Sequence, residues 1–379
     1  MLWDDLTGQA EAIATMRAAA ADDGLTHSWL LTGPPGSGRS ILAYAFASAL
    51  LARPGDEAAT EAQVAARTHP DLGVLSTERV QISIDEVRQL VASSQYSPSI
   101  GRYRVMVIED ADRMTERTSN VLLKALEEPP ARTIWILCAP SEADLIPTIR
   151  SRVRSVRLRV PDVAEVAALI EKRDGVSRPE AERAAREAQS HIGMAHRLAT
   201  NADARDRRRR TLELALGVTG VQAAVLAAAE LIALATDDAS AITEERNAAE
   251  RDSTLRSLGI EPGGTVPPAL RAQVKALEED QKRRATRSLR DGLDRILVDL
   301  LSLYRDVLLL QLGVDHEPVN LAIYSDLLAA AEAATPARTL ETLDAIATAR
   351  RRIEGNVAPT LALEAMLISA VRTREPVRG

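Results

Sequence analysis

The sequence predicts an α/β parallel-sheet module carrying a phosphate-binding loop, followed by an all-α second half. Three observations carry that prediction. From Trp3 to Val160, short apolar runs alternate with helical patterns, the arrangement of a parallel sheet with helices on its faces. A glycine-rich loop stands between the first apolar run and the next helical stretch. After Val160, Gly and Pro become sparse and apolar residues recur at three- and four-residue spacing, helix after helix.

Taken in order, His27–Thr32 (HSWLLT), Tyr103–Glu109 (YRVMVIE) and Thr133–Cys138 (TIWILC) read as buried strands. Helices are expected over Ile41–Leu51, Ile84–Ser94 and Glu116–Glu127. The last has Thr115 as its N-cap and Pro129-Pro130 as its stop. Arg154, Val156, Leu158 and Val160 alternate with Ser155, Arg157 and Arg159, a strand with one mostly apolar face. The expected domains are 1–160 (α/β), 161–204 (a small helical unit) and 205–379 (helical). The run Arg205-Asp206-Arg207-Arg208-Arg209-Arg210 reads as a solvated boundary. Residues 244–281 are polar and contain Gly259, Pro262, Gly263, Gly264, Pro267 and Pro268, so they read as an inserted or partly disordered excursion. Helix resumes at Leu289–Leu312, apolar enough to be a buried packing element.

With 379 residues, 46% hydrophobic and 27% charged, the chain has material for more than one core. No apolar stretch approaches the roughly 18–20 residues of a membrane span, and Asp4 and Asp5 stand where a signal peptide would be basic, so a soluble cytoplasmic protein is expected. The single cysteine, Cys138, excludes an internal disulfide and a cysteine-based zinc site. A net charge of -7 argues against a generally basic, nucleic-acid-coating surface.

Gly33-Pro34-Pro35-Gly36-Ser37-Gly38-Arg39-Ser40 follows a strand and opens a helix, where backbone N–H groups can turn towards phosphate oxygens. Gly33, Gly36 and Gly38 permit close approach, and Ser40 stands where a hydroxyl would ligate Mg²⁺. The motif asks for lysine where this chain has Arg39, and a broad planar guanidinium does not replace a compact ammonium between phosphates. Nucleotide binding can survive this change, but hydrolysis is expected to suffer. A second acidic element, Val105-Met106-Val107-Ile108-Glu109-Asp110-Ala111-Asp112, follows a later strand. ATPases of this kind place aspartate before glutamate; Glu109 then Asp110 reverses both side-chain lengths. The plain alternatives are a ligand-free strand-to-helix turn and ordinary acidic residues at a strand end.

Trp3-Asp4-Asp5-Leu6-Thr7-Gly8-Gln9, the glycine loop, Thr68-His69-Pro70-Asp71 and Ile108 to Met114 are blocks of a single pattern. So are Asn120 to Pro130 (NVLLKALEEPP) and Thr148-Ile149-Arg150-Ser151-Arg152. Together they resemble the clamp-loader branch of the AAA+ ATPases, over about 200 residues. The resemblance implies an AAA+ module, a helical lid and a helical collar for oligomerisation. In that family a Ser-Arg-Cys motif offers an arginine finger to ATP on the neighbouring subunit. Ser151-Arg152-Val153 matches it with the cysteine replaced, so Arg152 inherits the finger role in trans, beside Ser151. The four-cysteine zinc module of some members has no counterpart in Ala52–Arg67, so no zinc is expected. His196, in Gly193-Met194-Ala195-His196-Arg197, falls where the lid's nucleotide-sensing arginine would stand, and sensing is expected to be lost.

The implied function is a non-motor stator subunit of the replicative clamp loader, supporting ATP-dependent loading of the sliding clamp. No cofactor is required, although residual ATP or ADP with Mg²⁺ stays open. The implied partners are the motor (gamma/tau) and delta subunits and, through the complex, the clamp and primer-template DNA, with no membrane. An active AAA+ motor is the alternative reading. An unrelated P-loop kinase or transferase leaves the Leu122–Pro130 block unexplained.

Overall fold

The computed structural model describes residues 2–21, 25–77, 81–257 and 271–374. They form two compact units, Met1–Thr200 and Asn201–Gly379.

In the first unit, a 3-10 turn (Leu2–Asp5) leads into α1 (Ala10–Ala21), β1 (Ser28–Thr32), α2 (Arg39–Leu51), α3 (Glu57–Ala65), β2 (Leu72–Leu75) and α4 (Ile84–Ser94). There follow β3 (Arg104–Ile108), α5 (Glu116–Glu127), β4 (Thr133–Ala139), α6 (Pro147–Arg150) and β5 (Arg154–Arg157). The strands lie in the order β2-β3-β4-β1-β5, every neighbouring pair parallel. β1 and β4 are buried throughout because helices cover both sheet faces, which is why they read as unbroken apolar runs. Successive side chains serve opposite faces. Trp29 and Leu31 join Phe46, Leu50 and Val107 in one core, with the Trp29 and Phe46 rings edge-to-face at 5.5 Å. Leu30 joins Met106, Ile108, Leu122 and Trp135 in the other.

Thr115 caps α5 as expected, its side chain accepting from the Thr118 N–H. β2 has no counterpart among the expected strands, because Leu-Gly-Val-Leu is too short a pattern to register. β5 is shorter than the expected Arg154–Val160 strand, although its line continues through the Leu158 N–H, which donates to the Thr32 carbonyl at 2.7 Å. Asp71 ties down the loop before β3. Its carboxylate accepts from the N–H groups of Ser99 (2.6 Å), Ile100 (2.8 Å) and Gly101 (2.7 Å) and from Arg104 Nη1 (3.2 Å).

The lid helices α7 (Val163–Asp174), α8 (Arg178–Glu187) and α9 (Ile192–Thr200) belong to the same unit. Capping boxes at Asp162/Glu165 and Ser177/Glu180 start α7 and α8, and Gly175, with φ of 67°, ends α7.

The second unit contains α10 (Ala202–Leu216), α11 (Val221–Ser257), α12 (Arg271–Gln311), α13 (Tyr324–Ala333), α14 (Pro336–Glu354) and α15 (Pro359–Arg374). Its core gathers Leu212, Leu231, Leu297, Leu300, Leu303, Ile346, Leu363 and Met366. The expected buried helix Leu289–Leu312 is the second half of α12. Arg205–Arg210 is part of α10, with Asp206, Arg209 and Arg210 exposed, while Arg207 pairs with Asp238 at 3.0 Å, Arg208 with Asp299 at 2.9 Å and Arg210 with Glu230 at 2.6 Å. α10 begins just after the division of the two units at 200/201 and includes the 204/205 position expected as a boundary. Of the excursion read at 244–281, residues 244–257 and 271–281 continue α11 and α12 as helix, and 258–270 lie outside the described residues. Among the described residues no helix is long and apolar enough to cross a membrane.

Candidate functional site: a self-engaged phosphate loop and a separate arginine

The glycine loop links the C-terminal end of β1 to the start of α2, the end of a parallel strand where such folds bind phosphate. Gly36 and Gly38 have φ of 80° and 94°, conformations that disfavour any side chain. A Cβ on Gly36 would also lie 2.5 Å from the His191 ring, so the lid rests directly on this turn. His191 Nδ1 accepts from the Met194 N–H at 3.2 Å, which holds the imidazole at the start of α9. Gln9 fixes the loop from the other side. Its Nε2 donates to the Ser37 carbonyl at 3.3 Å and to the Arg159 carbonyl at 2.8 Å, while Oε1 accepts from the Arg159 N–H at 3.1 Å.

Arg39, the first residue of α2, turns its Nη1 back to the Gly33 carbonyl. The loop's cation is therefore engaged by the loop's own backbone. Ser40 and Glu109 are brought together as expected of a Mg²⁺ pair, with Ser40 Oγ donating to Glu109 Oε2 at 3.4 Å. Glu109 is nevertheless already taken: Oε1 accepts from the Tyr44 hydroxyl and pairs with Arg67 Nη2 at 2.8 Å. Arg67 also lies over the Tyr44 ring, 5.3 Å from its centroid. Burial, reinforced by the Glu109 carboxylate, holds the Tyr44 hydroxyl well above the ordinary phenol range.

Asp110 pairs with Arg113 at 3.7 Å. Burial, helped by Asp110 and opposed by Arg113 and Arg39, pushes the neighbouring Asp112 carboxyl up. Cys138 backs onto the Arg39 carbonyl, and burial pushes its thiol up to about 12, which makes it inert packing. As arranged, the residues do not fit a magnesium triphosphate: Arg39 would have to leave Gly33, and Glu109 would have to leave Tyr44 and Arg67.

His196 lies further along α9 and bonds through Nδ1 to Asp174 Oδ2 at 2.8 Å. Arg173 first, and then His196, hold the Asp174 carboxyl below the ordinary range. His191 is the lid residue that meets the loop.

Arg152 and Ser151 lie elsewhere. Arg154 pairs with Trp29 at the start of β1, so Arg152 sits at the N-terminal end of that strand, whereas the phosphate loop follows its C-terminal end. His27 confirms the placement, since its Nε2 bonds the Leu126 carbonyl at 2.9 Å, joining the end of α5 to the entry of β1. The five residues of β1 separate the two groups by on the order of 15 Å. Arg152 Nε donates to Glu127 Oε1 at 2.6 Å, and Nη1 donates to the Thr148 carbonyl at 2.8 Å and to Ser151 Oγ at 3.0 Å.

Sequence reasoning missed Tyr44, Arg67, His191 and the pairing of Glu127 with Arg152. Tyr44 carried a signal, standing four residues after Ser40 and hence on the same face of α2. Arg67 and His191 carried none, because each reaches the site from a distant segment.

A family model described as DNA polymerase III, delta subunit matches residues 8–162. DNA polymerase III subunit delta' of Pseudomonas aeruginosa is 34% identical over 171 residues, 43% of this chain and 48% of that protein. The Escherichia coli (strain K12) subunit delta' is 32% identical over 143 residues, 36% of this chain and 43% of that protein. DNA polymerase III subunit tau/gamma of Haemophilus influenzae is 27% identical over 169 residues, 43% of this chain and 24% of that protein. The chain spans about half or less of the length of these curated relatives. A glycine loop after β1, an acidic pair after β3 and an arginine before β5 all fall within the matched stretch, and over that stretch the chain is similar to subunits of DNA polymerase III.

Proposed function

We propose that this chain is a delta'-type stator of a bacterial replicative clamp loader, which supports ATP-dependent loading of the sliding clamp and lends Arg152 to the ATP site of a neighbouring motor subunit. One observation carries this reading. Arg152 stands at the opposite end of the sheet from the chain's own phosphate loop, so it cannot serve a nucleotide bound there. A guanidinium at the rim of the α/β unit suits delivery across a subunit boundary, where it would stabilise charge developing on the transferred phosphoryl group. The self-engaged loop supports the same conclusion, since Arg39 and Glu109 both have partners within the chain. The partners proposed are the gamma/tau motor and delta subunits, with the clamp and primer-template DNA reached through the assembly. No zinc and no required nucleotide are proposed.

The glycine conformations of the loop and the tau/gamma relatives favour a second reading, a motor that hydrolyses ATP through Arg39. The two are separated by reconstituting the loader with Arg152→Ala. Arginine fingers contribute ~10³–10⁵ in rate. The stator reading therefore expects a loss of at least tenfold in DNA-stimulated ATP turnover and a matching loss of clamp loading, with assembly intact by gel filtration. Wild-type turnover in that variant removes the finger role. ATP hydrolysis by the isolated chain, abolished by Arg39→Ala, would establish the motor.

A further inference from the structure

Resting on that reading, the geometry points to Glu127 as a positioning residue, a latch that stores the Arg152 guanidinium until a neighbour's phosphate oxygens compete for it. All three guanidinium nitrogens are engaged within the chain. Nε donates to Glu127 Oε1 at 2.6 Å, Nη2 pairs with the same oxygen, and Nη1 is shared between the Thr148 carbonyl and Ser151 Oγ. Arginine grips a phosphoryl group through two parallel N–H groups on one edge. Here the Nε/Nη2 edge is closed by a carboxylate that must release it first.

Glu127 is also oddly placed for its own helix. It is the last residue of α5, where the exposed carbonyls carry partial negative charge and a cation is favoured. Its position serves the cross-segment pair with Arg152 better than it serves the helix. The pair is accessible, in a shallow hollow lined by His27, Leu126, Glu127, Ser151 and Arg152, with side-chain exposures of 44% for Glu127 and 34% for Arg152. An exposed ion pair is worth only ~0–1 kcal/mol, so a well-seated polyanionic triphosphate can take the guanidinium. A poorly aligned neighbour meets both the engaged arginine and the repulsion of the Glu127 carboxylate. Glu127 thereby makes the finger conditional on alignment: two arrangements of one side chain, biased by which anion lies nearer.

The test uses the complete loader, reconstituted with this chain as wild type, Glu127→Gln, Arg152→Ala and the double variant. ATP turnover is measured with and without primer-template DNA, and the isolated chains are melted as a check on folding. The latch predicts that Glu127→Gln raises DNA-independent turnover by about two- to fivefold, the equivalent of an exposed ion pair. It leaves DNA-stimulated turnover within about twofold of wild type and the melting temperature unchanged. In the Arg152→Ala background the same substitution does nothing, because a coupling that acts only through Arg152 vanishes in the cycle. Unchanged or lowered DNA-independent turnover in Glu127→Gln overturns the latch, as does an effect that persists without Arg152. Wild-type turnover in Arg152→Ala instead strikes the finger reading beneath it, so the two failures are distinct.

Discussion

Arg39 changes what a phosphate loop can do. An ammonium at this position would reach forward between phosphates; the guanidinium folds back onto the Gly33 carbonyl and closes the loop upon itself. Beside it, Glu109 sits between Arg67, Tyr44 and Ser40 and is fully employed in holding α2 and the segment after α3 to the end of β3. Arg39→Ala in the reconstituted loader should leave turnover and clamp loading within about twofold of wild type, the range of a substitution that breaks no needed contact. A collapse of loading would show that the loop holds a nucleotide the complex needs. The changes at Arg39 and Glu109 were legible in the sequence because the motif fixes what each position should be. Tyr44, Arg67 and His191 were less so: side chains that fill a damaged site answer to no motif, and two of the three arrive from segments brought near only by folding.

Between the strands, small polar devices decide where elements begin and end. The Asp71 side chain is wholly buried. Burial works to raise its carboxyl, yet the N–H groups of Gly101, Ser99 and Ile100 outweigh that and hold it below the ordinary range. A carboxylate with a depressed folded value contributes stability that is complete above its unfolded value, about pH 4, and is lost as the pH falls from there through the folded value. Asp71→Asn should therefore cost about 2–3 kcal/mol at neutral pH and lose less on acidification than the wild type, as thermal melting across pH would show. A melting curve that shifts in parallel at every pH would contradict the carboxylate's role. Thr115→Ala, which removes the α5 cap, should cost about 1 kcal/mol by the same measurement. At this scale the long strands and α5 were readable, because apolar runs, cap and proline stop agree. The arginine run at 205–210 shows only its charge in the sequence, which cannot reveal the acidic partners on α11 and α12 that Arg207, Arg208 and Arg210 meet.

Across the whole α/β unit, the parallel sheet keeps its two charged sites apart. Every strand points the same way, so residues before β5 and after β1 are held at opposite ends by a core in which Trp29, Leu30 and Leu31 are wholly inaccessible to water. A sheet buried on both faces makes a stiff spacer between Arg152 and the glycine loop. The alternation of apolar runs and helices predicted this module, but strand order and the opposed ends emerge only from pairing across the chain.

The most direct measurement is the structure of the assembled loader with a non-hydrolysable ATP analogue. The Arg152 guanidinium should then lie within hydrogen-bonding reach, about 3 Å, of a phosphate oxygen bound to the adjoining subunit. Arg152 facing solvent with that subunit's phosphates out of reach would contradict the finger role.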